Sequence, residues 1–487
     1  MSKFRRSLVI TFFSSTGATV AQFLVSLALA RILSPSEIGV FSITVVFVNI
    51  AHIFRDFGVT TYLQREATLT PEKISASIGV LFTTSWMIAI ALFSISGWIA
   101  LWFKEPSIAP VMRVLALGFV FIPFGAITHA LLVRDFSADK EAIVNVAGTL
   151  SYTSTCLGLA WLGHGTMSLA WANLANIVVC AIALFRYRPK DIPWMPSFRN
   201  WGSIVHFGLG ALISNSASAV NNSIPDLMLG KLSGARQVGL LSRAGSTVAI
   251  FSYIAGATVN YGALSYVSQS YNRGESLKPI LNKAVALLTG IGWPILAVTV
   301  VLANQIVTAL YGAKWLECVE AIPALAVAMA IGLLFNYVPI ALTALGRPYL
   351  SAVPTVVTII IRIVFGLLLF NGSLKSFAEA ICIGTIAAAP IMAFQQWRYL
   401  DYHFKDMLIA VFPSAVVAIV CLLAALGMRA IMPPSIHALA SVLIAAVPIT
   451  IVWYLTLRLT RHSLVIELHH VSVGILHRLR RLISRAN

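Results

Sequence analysis

Charge is what this 487-residue chain has least of, since only 10% of its residues are Asp, Glu, Lys or Arg. Soluble domains average about 25%. A water-facing surface could not be hydrated with so few, which excludes a soluble globular protein. Carboxylates are the scarcer sign, with 17 Asp and Glu against 34 Lys and Arg. The five cysteines (Cys156, Cys180, Cys318, Cys382 and Cys421) have no metal-ligand spacing, and most lie inside apolar runs. They read as small hydrophobes, with no disulfide or metal site implied. No Gly-x-x-x-x-Gly-Lys-Ser/Thr loop is present, so the chain carries no phosphate-binding ATPase loop of its own. An Asp-x-Asp pair and a His-Glu-x-x-His motif are also missing, and His469-His470 stands without further ligands. No loop is long enough to fold outside a membrane. The chain is therefore not expected to be an enzyme or to need a cofactor.

What is present is apolar, at 59% of the residues. Runs of membrane-spanning length predict fourteen helices at 7–32, 38–55, 76–103, 110–132, 142–162, 166–185, 203–226, 239–262, 279–302, 320–345, 349–371, 377–397, 407–430 and 436–458. Lys3, Arg5 and Arg6 precede a first run too long for a signal peptide, which predicts an uncleaved span. With both termini in the cytoplasm, the inside segments hold 24 of the 34 Lys and Arg, as the positive-inside rule requires. This spread of charge over many loops also argues against a nucleic-acid surface. The tail from Leu468 to Arg485 alternates Val471, Ile475, Leu476, Leu479 and Ile483 with four arginines. It reads as a basic amphipathic helix on the anionic inner leaflet, with a disordered basic tail as the alternative.

Two stretches match. Arg31-Ile32-Leu33-Ser34-Pro35-Ser36-Glu37-Ile38-Gly39 is echoed by Lys231-Leu232-Ser233-Gly234-Ala235-Arg236-Gln237-Val238-Gly239. Phe57-Gly58-Val59 is echoed later by Tyr261-Gly262-Ala263. Landmarks repeated in one order indicate a duplication, and duplicated membrane halves usually enclose a substrate path. The expected organisation is an N-terminal lobe at 1–200, a C-terminal lobe at 201–400, two added helices at 401–460 and a cytoplasmic tail at 461–487.

Several residues do not belong in lipid. Ser14, Ser15, Thr16, Thr19 and Gln22 interrupt the first span; Ser214, Asn215, Ser216, Ser218, Asn221, Asn222 and Ser223 interrupt the seventh. They suit either close helix packing or a shared water-filled cavity. Arg362 lies near the middle of the eleventh span, where a basic residue costs roughly 2.5–3.5 kcal/mol, and Arg243 lies one turn inside the eighth. Arg31 and Arg55 end the first and second spans, where interfacial snorkelling is an equally good reading. Asp226 and Glu379 are the main acids near spans. Asp226 suits a coupling cation or a pairing with Arg243 or Lys231. A cavity with arginines and few carboxylates attracts anions, and the arginine fork fits phosphate oxygens.

The run Ala30–Phe41 resembles the opening signature of the oligosaccharide-lipid flippases, within the multidrug/oligosaccharidyl-lipid/polysaccharide exporter superfamily. Arg55-Asp56-Phe57-Gly58, Val238–Ala244, Tyr311-Gly312-Ala313-Lys314-Trp315, Ala321–Leu325 and Ala344-Leu345-Gly346-Arg347-Pro348 resemble later landmarks of that family, in order. The resemblance implies an all-α protein of two six-helix lobes plus two C-terminal helices, with a central portal near helices 1, 2, 7 and 8. It also implies a polyprenyl-diphosphate-linked oligosaccharide as cargo, moved to the outer leaflet of a bacterial inner membrane for exopolysaccharide, capsule or O-antigen assembly. A polysaccharide polymerase and a chain-length regulator are the partners that go with this reading. Arg243, Arg362 and Arg55, with Arg31, are then expected at the diphosphate. Gln22, Asn215, Asn221 and Asn222 are expected at sugar hydroxyls. The rival readings are an exporter of organic cations or of the peptidoglycan lipid precursor, a membrane polymerase or glycosyltransferase, and a structural component of an assembly complex.

Overall fold

The computed structural model describes residues 3–467, apart from 203–219, 251–269 and the positions 57, 67–68, 136, 190–191, 194, 200, 272, 346 and 434–435. Among the described residues every regular element is a helix, and ten helical stretches are long and apolar enough to cross a membrane. Two compact units are formed, Met1–Ser242 and Arg243–Asn487.

The first unit holds α1 (Lys3–Ile32), α2 (Pro35–Asp56), α3 (Val59–Arg65), α4 (Pro71–Phe103), α5 (Ile108–Arg134), α6 (Ala138–Trp161), α7 (Thr166–Arg186), α8 (220–233) and the start of α9 (Ala235–Val248). Local sequence sets the ends of α4. The Thr70 hydroxyl accepts the N–H of Lys73 at 3.4 Å and Pro71 opens the first turn. One face of α4 buries Leu81 and Ile99, while Ile90, Trp98 and Leu101 stay exposed on the other. That is the division expected of a helix between protein and lipid. Arg113 of α5 donates to Ser96 of α4 at 3.1 Å and lies over the Phe93 ring, tying the pair together.

The short α3 lies where the sequence predicts only a loop, 55–75. Its stability is tertiary, because seven residues are too few to hold a helix alone. Leu63 is fully buried in a cluster with Ile74, Ile78, Leu81 and Ile127. Arg134, at the end of α5, donates to the carbonyls of Leu63 at 2.7 Å and Glu66 at 2.5 Å. These bonds satisfy carbonyls at the helix end.

The second unit continues with α10 (Lys278–Val301), α11 (Ala303–Leu310), a 3₁₀ turn (Ala313–Ala321), α12 (Ile322–Leu334), α13 (Val338–Ala344), α14 (Ala352–Leu368), α15 (Leu374–Leu400), α16 (Phe404–Ile431) and α17 (Ala438–Leu459). The extensive packings are α10 along α16, α14 along α15, α12 along α15, and α16 against α17. Ser373 caps α15 by accepting from the N–H of Ser376 at 3.2 Å. Pro294, Pro390, Pro413 and Pro448 lie inside these helices, as membrane helices tolerate when neighbours compensate the lost bonds.

Two span limits differ from hydropathy. The stretch 320–345, expected as one helix, breaks at Phe335–Tyr337 into α12 and α13. Phe335 and Tyr337 are buried in a cluster with Leu342, Leu400 and Tyr402, so core packing fixes a break that composition does not reveal. The seventh span, expected to end at 226, continues as α8 through Pro225 and Asp226 to 233. Asp226 lowers the hydropathy there without ending the helix. Three further expectations fall outside the described residues: Ser214 to Ser218, the Tyr261-Gly262-Ala263 landmark and the basic tail from Leu468.

Candidate substrate portal

The two matching turns meet each other. In the first, the Ser34 N–H and hydroxyl both donate to the Glu37 carboxylate at 2.7 Å, and the Glu37 N–H donates to the Ser34 hydroxyl at 3.3 Å. That Ser-x-x-Glu box starts α2. In the second, Gly234 takes φ 81° and its N–H donates to the Gly230 carbonyl at 3.1 Å, ending α8 before α9 begins. The starts of α2 and α9 then cross so closely that a Cβ on Gly39 would overlap the Ala235 carbonyl, and one on Gly239 would overlap the Pro35 carbonyl. Equivalent residues of the repeat thus face each other in both directions, the form of a two-fold contact. The sequence repeat has become a physical joint.

The charges beside the joint are not equivalent. Arg31 is exposed at the end of α1. Its counterpart Lys231 donates to the Trp102 carbonyl at 2.6 Å and lies 5.1 Å from the Trp102 ring centre. After the first turn Ile43 is fully buried; after the second, Arg243 is buried too, at 7% exposure. The guanidinium of Arg243 lies 5.5 Å from the Tyr311 ring and 5.4 Å from the Trp315 ring. Thr247, one turn further along α9, donates to the Arg243 carbonyl at 2.8 Å and reaches the Tyr311 hydroxyl at 3.4 Å. Both rings are essentially inaccessible, so the cation is held in an aromatic cage.

Arg362 has a different setting. It is half-buried on α14 and donates to the Thr385 hydroxyl of α15 at 3.3 Å. Its stem lies against Gly384, where the two helices approach too closely for a side chain. Within the second unit, Arg243 and Arg362 therefore have separate partners.

Arg55 lines an open cavity of about 220 Å³ in the first unit, together with Thr60, His129 and Asn176. Its backbone carbonyl accepts from Thr84 of α4 at 3.0 Å, which fixes the end of α2. His129 also lies 3.6 Å from Glu141. Here a cation, an imidazole and an amide converge on one concave surface, a combination suited to phosphate oxygens. Sequence reading missed His129 and Asn176. Their signal is two polar side chains on the facing helices α5 and α7, inside strongly apolar stretches.

Of the remaining candidates, Gln22 and Asn222 are exposed, and Asn221 and Asp226 are half-buried; Asn215 lies outside the described residues. Lys231, offered by the sequence as a partner for Asp226, engages Trp102 instead. The polar first helix packs along α6, a helix the sequence reading did not single out. Asn145, Thr149, Tyr152 and Thr153 recur on α6 at helical spacing, which places a second polar stripe in the bundle. Among the described residues no group of three or more His, Cys, Asp or Glu side chains is placed to hold a metal ion.

The fold matches solved membrane transporters. A lipid II flippase, MurJ, in an inward closed conformation superposes with a TM-score of 0.73 at 14% identity, covering 92% of this chain and 99% of that one. An inward-facing multidrug resistance MATE family transporter gives 0.63 at 15% identity, covering 82% and 95%. These likenesses show a shared fold, that of a multi-helix membrane protein. Residues 28–320 match the family described as polysaccharide biosynthesis protein, and the chain belongs to that family. It is an inner-membrane protein of bacterial type. Lipopolysaccharide biosynthesis protein WzxC of Escherichia coli is 21% identical over 310 residues, 63% of this chain and 62% of the relative. Succinoglycan biosynthesis transport protein ExoT of Rhizobium meliloti is 23% identical over 309 residues, 62% of this chain and 61% of the relative. The match thus spans about three-fifths of these relatives' length.

Proposed function

We propose that this chain is a flippase that carries polyprenyl-diphosphate-linked oligosaccharide from the inner to the outer leaflet for assembly of a surface polysaccharide. The observation that carries this reading is the cavity beside Arg55, where His129 and Asn176 converge on an arginine in an acid-poor membrane protein. The scarcity of carboxylates favours an anionic cargo over the organic cations of a drug exporter. On this reading fourteen spans leave both termini in the cytoplasm, and the two lobes rock to open the path alternately inward and outward. Arg55 receives the diphosphate at the inner end and Arg31 stands at the outer rim. Arg243 and Arg362, held on protein partners, add positive potential in this conformation and reach the cargo in others. Gln22, Asn215, Asn221 and Asn222 hydrogen-bond sugar hydroxyls, and Asp226 serves a coupling cation. The prenyl chain stays in lipid. A polymerase and a chain-length regulator receive the product.

The direct test reconstitutes the purified protein in liposomes carrying a polyprenyl-diphosphate oligosaccharide and labels the sugar from one side only. Exposure should rise with protein and fall in Arg55→Ala. Labelling identical to that of protein-free liposomes would overturn the assignment.

A further inference from the structure

The second unit carries another concave site, remote in sequence from every residue assigned above. A cavity of about 490 Å³ opens between the first turns of α10, the first turns of α16 and the segment that follows α17. Its α10 wall is Pro279, Asn282, Lys283 and Ala286, spaced as one helical face. Its opposite wall includes Ile409 and Pro413 of α16 with Ile466, and is apolar.

The segment after α17 is fixed rather than loose. Arg461 turns the chain with φ 51°. His462 is then buried, accepts the Leu464 N–H at Nδ1 at 3.1 Å, and lies 2.9 Å from the Ser414 hydroxyl through Nε2. Because Nδ1 accepts, Nε2 carries the proton and donates to Ser414. Burial holds this imidazole below its ordinary pKa, and therefore neutral. Thr289 of α10 donates to the same Ser414 oxygen at 2.8 Å, closing a bridge between α10, α16 and the segment. The walls of the cavity are therefore preformed.

The polar groups on those walls are mostly donors. The Tyr402 hydroxyl donates to Asn282 Oδ1 at 2.7 Å, which leaves the amide NH₂ of Asn282 as the donor end. The Ser463 hydroxyl is shielded from solvent and has no hydrogen-bond partner among the described residues. Arg461 is exposed at the edge. Lys283 pairs with Glu467 at 2.5 Å, which neutralises the one carboxylate in the cavity and leaves the net charge positive. The N-terminal end of α10 adds the positive end of its dipole.

We infer that this cavity binds the phosphate diester of a membrane lipid, with the glycerol-phosphate headgroup against Asn282 and Arg461 and the acyl chains along Ile409, Pro413 and Ile466. The volume lies in the range of small-molecule sites and holds a headgroup but not two chains. A basic pocket between helices on the proposed cytoplasmic side faces the leaflet where anionic lipids reside. The site is independent of the flippase assignment. Its occupant would clamp the segment after α17 onto α10 and α16.

The test is native mass spectrometry of the full chain released from bilayers of phosphatidylcholine with phosphatidylglycerol. One phosphatidylglycerol should be retained in preference to phosphatidylcholine. Arg461→Asn, a residue that tolerates the left-handed backbone, should weaken that retention about tenfold. Ala410→Phe, which fills the cavity, should abolish it, whereas Lys375→Gln, a charge removed elsewhere, should not change it. Equal retention in Arg461→Asn and the parent, or no preference for phosphatidylglycerol, would overturn the inference. Thermal protection by inorganic phosphate matching that by phosphatidylglycerol vesicles would also overturn it, by assigning the site to a soluble anion.

Discussion

The turns before α2 and α9 share a sequence plan but reach their helices by different chemistry. Before α2 the reversal is held by side chains, with Ser34 and Glu37 satisfying each other's backbone donors. Before α9 the backbone reverses through Gly234, in the left-handed region, whose N–H donates to the Gly230 carbonyl. Beyond the turns the difference widens, from buried Ile43 in one copy to the caged Arg243 in the other. What both copies keep is the glycine at the crossing, Gly39 and Gly239. The two copies share the joint and differ in capping and in charge.

The largest effect is expected at that joint. Gly39→Leu or Gly239→Leu places a side chain against a carbonyl of the other helix, and overpacking of this kind costs about 1–3 kcal/mol or more. The purified variants should melt several degrees lower, and polysaccharide export in a deletion strain complemented by either should fall. The losses should be similar, because the contact is reciprocal. A loss at only one glycine would break the two-fold reading.

Next comes Arg243. Arg243→Ala removes a desolvated cation from two rings, worth about 2 kcal/mol, and should lower the melting temperature of the purified protein. Arg243→Lys should recover only part of it, as an ammonium cannot stack on a ring as a guanidinium does. Arg55→Ala, at an open cavity, should leave melting almost unchanged while reducing export. Equal melting losses at Arg55 and Arg243 would erase the distinction between them.

The smallest effect separates the caps. Glu37→Ala loses its half of the box and should cost about 1 kcal/mol in chemical unfolding, whereas Gln237→Ala should stay within about 0.5 kcal/mol. Equal costs would show that the second turn relies on its side chain as well.

Much of this was legible in the sequence for a physical reason. Hydropathy reports avoidance of water, so most long helices are marked by their composition. The matching turns were visible because glycine and a basic-Leu/Ile-Ser plan survive divergence. Hydropathy does not report which apolar face meets protein and which meets lipid, so it missed the break at Phe335–Tyr337 and the tertiary helix α3. It assigns Arg243 the same cost whether the guanidinium meets a ligand or two rings. Only the fold brings Tyr311 and Trp315 over it. The polar stripe of α6 was passed over because threonine and tyrosine scarcely lower an average.

The Gly39–Gly239 crossing has one more consequence. Where two helices interlock through side chains, parting them requires those side chains to leave their rotamers and repack. At the crossing point itself backbone meets backbone, so the attraction there is dispersion with weak Cα–H···O contacts. At that point a small slide or tilt of one helix on the other asks no side chain to change its rotamer.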